Sequence, residues 1–246
     1  MGAADGKAPE YLYKYRSLAQ SQRDFTRDII VNQRLWCGPA SDLNDPYDCC
    51  PVPYISSDRD ARQAQLLEVL AGANPNLART DVETTANAVL AEPDDVLDKL
   101  MAQAVDQVRG KIGVISLSAS PDIPEMWQRY ADAYRGICLR FRDPPDAKPM
   151  FSQARRVSYV PDRPRVEAVL EPGPSFIDAF LLTKTNDWAY EQEWRLVHPK
   201  WTGSARFQPA ALDAIVLGAA ISPEDRVDVL EWVRASGLAI EIVPDR

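Results

Sequence analysis

The chain has 246 residues, of which 46% are hydrophobic, with a net charge of −8 and one histidine, His198. That length carries a full core as one domain, residues 1–246. The acidic balance excludes a surface built for nonspecific binding of nucleic acid or anionic membrane, leaving such chemistry to a local basic cleft. One histidine rules out two-histidine mechanisms, and Cys37, Cys49, Cys50 and Cys138 lack zinc spacing. With no signal peptide or long apolar run, the expected setting is a reducing cytoplasm with no membrane partner.

YLYKYRSL, at 11–18, alternates as a strand, with Lys14 and Arg16 on one face and Tyr11, Tyr13 and Tyr15 on the other. A polar helix near 20–33 and a short strand at RLWCG follow. Residues 42–53, dense in Asp, Asn and Pro, read as a structured loop. From 58 to 110 helical stripes appear (Leu66, Leu67, Leu70; then Val96, Leu97, Leu100, Met101), and Thr80-x-x-Glu83 reads as a capping box. This stretch is a helical insertion. IGVISLS then returns to strand, with Ser116 and Ser118 on one face. EMWQRYADAY is a helix, GICLRF and ARRVSYV are strands, and a helix is expected over 175–184. YEQEWRLV alternates as a strand, Glu191 and Glu193 sharing a face about 7 Å apart with Arg195 next, and Trp194 and Leu196 facing the core. The end reads strand, helix, strand, with Ser222 as cap and Pro223 in the first turn. The fold class is α+β with a mixed, mostly antiparallel sheet.

Several patterns bear on chemistry. The Glu191–Glu193 pair reads either as a solvated edge strand whose charges are balanced by arginine, or as a carboxylate pair for acid–base and electrostatic work. Alternation places Glu193 outside the core, so Glu193→Gln is expected to shift stability by under ~1 kcal/mol while removing the charge that such chemistry would use. Lys14 and Arg16 serve either as edge protection or as a grip on a pyrophosphate. Asn44 and Asp45 belong to a loop, LNDPYD, that is a self-bonded turn or a substrate-lining segment. Trp127, Tyr130 and Tyr134 recur at helical spacing, as a core stripe or a stacking platform. No Walker loop, dinucleotide fingerprint, nucleophile elbow or His-Glu metal motif occurs, and no metal site is assigned. Two other classes stay open. One is a nuclease-type effector using Asp45, Asp48 and Asp187 with the Glu pair around Mg²⁺. The other is a non-enzymatic sensor or partner-binding protein.

A basic pair, a hydroxyl pair and a carboxylate pair, in that order, resemble the arginine, serine and glutamate constellation of ADP-ribosyltransferases. The segments YKYRSL, LWCGPASDLNDPYD, ISLSASPDIPEMWQRYADAYRGICLRF and the stretch from Lys184 through DWAYEQEWRLV also resemble a bacterial domain-of-unknown-function family. That family is found partly among phage-defence and abortive-infection genes, and its relatives often carry His where Lys14 stands. The resemblance implies an ADP-ribosyltransferase-like sheet and a defence or toxin effector. It would use NAD as substrate, with a protein or nucleic acid as acceptor of any transfer. It also implies roles. Glu193 would stabilise the ribosyl centre, Glu191 would deprotonate the acceptor, and Arg16, with Lys14, would grip phosphate. Tyr15, Ser116 and Ser118 would shape the nicotinamide ribose pocket. Asn44, Asp45, Trp127, Tyr130 and Arg195 would complete the cofactor-binding wall.

Overall fold

The computed structural model describes residues 6–54, 58–73, 76–92, 94–167 and 180–244. In chain order the first elements are β1 (Leu12–Arg16), α1 (Gln20–Asn32), β2 (Arg34–Pro39) and β3 (Val52–Tyr54). Three helices follow, α2 (Arg59–Ala73), α3 (Arg79–Leu90) and α4 (Asp94–Arg109), before β4 (Gly113–Ser118), α5 (Pro124–Tyr130) and β5 (Ile137–Phe141). Then come β6 (Arg155–Arg156), β7 (Ser158–Val160), β8 (Arg165–Glu167), β9 (Thr183–Thr185), β10 (Glu193–His198) and β11 (Gly203–Arg206). The chain closes with β12 (Leu212–Leu217), α6 (Pro223–Ser236) and β13 (Glu241–Val243).

The fold is α+β. Its main sheet is mixed and mostly antiparallel, ordered β11-β2-β4-β1-β5-β12-β13, with β10 on β4 and β6 on β10; only the β12–β13 pair within it is parallel. Two short parallel pairs, β3–β8 and β7–β9, lie outside it. The sheet forks at β4. One edge of β4 pairs with β10 along its whole length, from Gly113 opposite His198 to Ser118 opposite Glu193. The other edge is shared: β2 takes Gly113 and Val114, and β1 takes only Ser118. Between them, on that edge, residues 115–117 face no described strand, so β1 and β2 diverge and leave a notch.

Alternation along the strands fills both faces. Leu12, Ile115, Leu117, Ile137, Leu139, Phe141, Trp194, Leu196, Ile215 and Leu217 point to one side, against Ile29 and Ile30 of α1 and Val229 and Trp232 of α6. Tyr15, Cys138 and Val216 point to the other, against Trp127 and Ala131. Arg23 of α1 ties the two helices together by pairing with Asp225 and Asp228 of α6. Gly136 is needed where it stands, because a Cβ there would lie 2.1 Å from the Arg16 carbonyl oxygen. No described helix is long and apolar enough to cross a membrane.

Three local expectations are corrected. The cap of α3 is Ala78 and the helix begins at Arg79, which pairs with Glu83, so Thr80 lies inside the first turn and does not cap it. Half of the helix expected over 175–184, residues 175–179, falls outside the described residues; 180 and 181 are helical, and the last two positions, 183 and 184, lie in β9. Glu191 is not a strand residue. It ends a 3₁₀ turn over Asn186–Glu191, and Gln192 turns through the left-handed region, φ 46°, before β10 begins.

Candidate functional site

The notch in the sheet opens into a cleft of about 810 Å³, lined among others by Lys14, Tyr15, Arg16, Asn44, Ser116, Ser118, Tyr130, Glu191 and Glu193. These side chains do not share one sheet face. Tyr13 opposite Ser118 fixes the register, so Ser116, Ser118 and Glu193 lie on the α5 side with Tyr13 and Tyr15. Lys14 and Arg16, two and four residues on from Leu12, lie on the α1 side. They meet because the sheet is open between them. Lys14 Nζ reaches through the notch and donates to the Ser116 carbonyl, 2.9 Å away, a group with no strand partner on that edge.

Beneath the cleft sits a buried ionic cluster. Arg195, 0% exposed, makes bidentate bonds to two carboxylates: Nε and a terminal nitrogen to Glu193 at 2.7 and 2.8 Å, and both terminal nitrogens to Asp48 at 2.9 and 2.6 Å. It also donates to the Leu181 carbonyl at 2.8 Å. Lys184 of β9 lies 2.7 Å from Glu191, 3.4 Å from Asp48 and 3.6 Å from Glu193. Glu191 Oε1 accepts from Tyr130 at 2.6 Å, and Tyr130 in turn accepts from Asn44 Nδ2 at 2.8 Å. Ser118 Oγ donates to the Glu191 carbonyl at 2.8 Å, pinning the turn that brings Glu191 beside Glu193. Three carboxylates thus face two cations at the base of the cleft. Glu193 is 3% exposed; it is no solvated edge residue.

Burial and pairing set the charges. Burial alone would raise the Glu193 carboxyl, but Arg195 and then Lys184 outweigh it and hold it at about 2. Glu191 moves the other way: burial and the neighbouring Glu193 raise it more than Lys184 and Tyr130 lower it. Burial, then Arg16, pulls Lys14 down to about 8 against the pull of Glu193. Burial also lowers Arg16. Among the described residues Arg16 bonds to neutral partners, Thr26 Oγ1 at 3.2 Å and Gln22 Oε1 at 3.1 Å. Among the described residues neither Lys14 nor Arg16 has a carboxylate within ion-pair distance. Ser116 Oγ lies near enough to Glu193 to favour its charge, yet makes no hydrogen bond of full geometry.

The structure leaves three expected wall residues behind the cleft. Trp127 is buried, edge-on to Tyr15 at 5.2 Å and stacked on Tyr134 at 5.5 Å, with its indole N–H on the Pro121 carbonyl. Asp45 is buried and accepts from the Tyr47 amide at 2.9 Å. Arg195 underlies the wall. The Mg²⁺ arrangement is not assembled: Asp48 and Glu193 are taken up by Arg195, Asp45 by its own turn, and Asp187 is exposed. Among the described residues no three His, Cys, Asp or Glu side chains form a metal-binding group. Sequence reasoning gave no role in the site to Lys184, whose flanking threonines carry no sign of a buried ammonium, and read Asp48 only as part of a turn, a substrate-lining loop or a metal site. It also missed Trp36 and Phe25, which line the cleft.

No family model matches this chain, and no curated protein or solved structure matches it significantly.

Proposed function

We propose that the forked-sheet cleft binds NAD and cleaves its bond to nicotinamide, as an ADP-ribosyltransferase or NAD glycohydrolase. The observation that carries this reading is the meeting, in one cleft, of two cations with no ion-paired acid among the described residues and a fixed carboxylate cluster. Lys14 and Arg16 suit a pyrophosphate. A cavity of about 810 Å³ is the size of a cofactor site. In the reaction the C1′–N bond breaks with its electron pair passing to nicotinamide, and positive charge develops on the ribose. Glu193, locked in its charged form by Arg195, supplies a fixed negative field there, the kind of preorganised electrostatics that stabilises such a centre. Water or an acceptor then forms the new bond at C1′. Its proton passes to Glu191, whose raised carboxyl is the better proton acceptor of the two.

The landmark motifs support placing the chain with the bacterial defence-associated family, and a toxin or defence effector fits NAD consumption. The test is nicotinamide release by purified protein, with and without cell extract to supply acceptors. Glu191→Gln is expected to slow transfer by about 10²-fold or more, as loss of a positioned acid–base group does, and to impair transfer more than simple hydrolysis. Absence of both NAD turnover and NAD binding at high concentration would turn the cluster into a purely structural one.

A further inference from the structure

At the outer end of the cleft two arginines stand directly opposite each other. The β2–β11 register pairs Arg34 with Arg206 and Trp36 with Ser204, and the two-residue period puts all four on one face. Like charges directly opposite each other destabilise a ribbon. Among the described residues neither arginine has a carboxylate within ion-pair distance, so no ion pair there offsets that repulsion. Trp36 is 55% exposed, and its indole lies against Gly38, where a Cβ would come 3.1 Å from the ring nitrogen. The ribbon thus holds a flat aromatic surface in water beside two facing cations. Phe25 of α1, 53% exposed, lines the same cleft. Arg34, Trp36 and Ser204 belong to the cleft wall, while Arg206 lies beyond it. A ligand that uses all of them must extend out of the cavity, which a mononucleotide does not do and a strand does.

We propose that the β2–β11 ribbon docks single-stranded nucleic acid, with a base stacked on Trp36 and neighbouring phosphates at Arg34 and Arg206, and leads the strand into the cleft. Arginine on phosphate and bases on exposed aromatics are how single strands are held without sequence preference. Assigning the strand as acceptor rests on the NAD reading; its docking does not. Asp28 and Asp42 also line the cleft, hydrogen-bonded by Asn32 and Ser41, and the chain carries −8 overall. Binding is therefore modest and salt-sensitive.

The experiment is fluorescence anisotropy of a labelled single-stranded oligonucleotide of about twelve nucleotides, within the span of one small binding fold, with full-length protein and no NAD. Affinity is expected to fall with salt with a logarithmic slope near −1.4, about −0.7 for each of two phosphates. Trp36→Ala is expected to weaken binding roughly tenfold, the loss of one stacked base, and Arg206→Glu to weaken it and flatten the salt dependence. Both residues are exposed, and melting curves check that each variant is folded. The proposal is overturned by absence of binding at low salt, or by Trp36→Ala binding like wild type. It is equally overturned if AMP displaces the oligonucleotide at the same nucleotide concentration, which makes this a mononucleotide site. Because no NAD is present, failure of docking and failure of NAD turnover are read separately.

Discussion

Glu193 combines two demands in one carboxylate. Its neighbours keep it charged at nearly any pH, and they do so by taking both its oxygens. From alternation alone it sits outside the core, and its loss is expected to be nearly neutral. Burial reverses that expectation, because Glu193→Gln removes one of the two carboxylates that grip buried Arg195; breaking a buried ion pair typically costs about 3–5 kcal/mol, of which the remaining Asp48 pair offsets part. Urea unfolding at neutral pH measures this; equal stability of the two proteins would show that the cluster is not held by charge. The pH dependence has a definite sign. The folded carboxyl lies at about 2, below its ordinary 4.5, so its contribution is complete above 4.5 and is lost as pH falls toward 2. The gap between wild type and Glu193→Gln narrows over that window. Lys14 gives a second titration. Held at about 8, it loses its charge as pH rises through that value, so NAD affinity measured by calorimetry is expected to drop there. Lys14→Met should remove the inflection, and an unchanged profile would mean that Lys14 does not meet the ligand.

Among the elements, β10 shows best what the sequence discloses. Its period of two placed Trp194 and Leu196 in the core, where they are buried at 6% exposure. Trp194→Ala is expected to destabilise by about 3–5 kcal/mol, read by thermal or chemical unfolding, and a fully stable variant would mean that the strand's phase is inverted. The α6 cap was equally legible, since Ser222 Oγ accepts from the Asp225 amide at 3.0 Å. Local patterns of this kind depend only on neighbours in the chain. What lay beyond them is non-local. Nothing in YEQEWRLV tells that Gln192 takes a left-handed conformation, so that Glu191 reaches the cleft from a turn and not from the strand. Nothing in LNDPYD tells that Asp48 will meet an arginine 147 positions later. The basic and hydroxyl pairs were legible as pairs, but their assignment to opposite faces follows from the β1–β4 register, which single-strand periodicity does not contain.

At the scale of the whole molecule, the site exists because one strand is shared. β4 gives one edge entirely to β10 and divides the other between β1 and β2. The division opens a cleft through which groups from both faces converge: cations from the α1 side, carboxylates from the α5 side. The helices α2–α4 lie between β3 and β4 in the chain and touch this region through Arg109, which donates to the Pro46 carbonyl in the loop that carries Asp48. On the proposed reading this fork is an NAD site, and a crystal structure of the Glu191→Gln protein soaked with NAD decides it. The expected result is pyrophosphate density against Lys14 and Arg16, with the nicotinamide ribose beside Ser116 and Glu193. Density elsewhere, or a cleft left empty at saturating NAD, would contradict it.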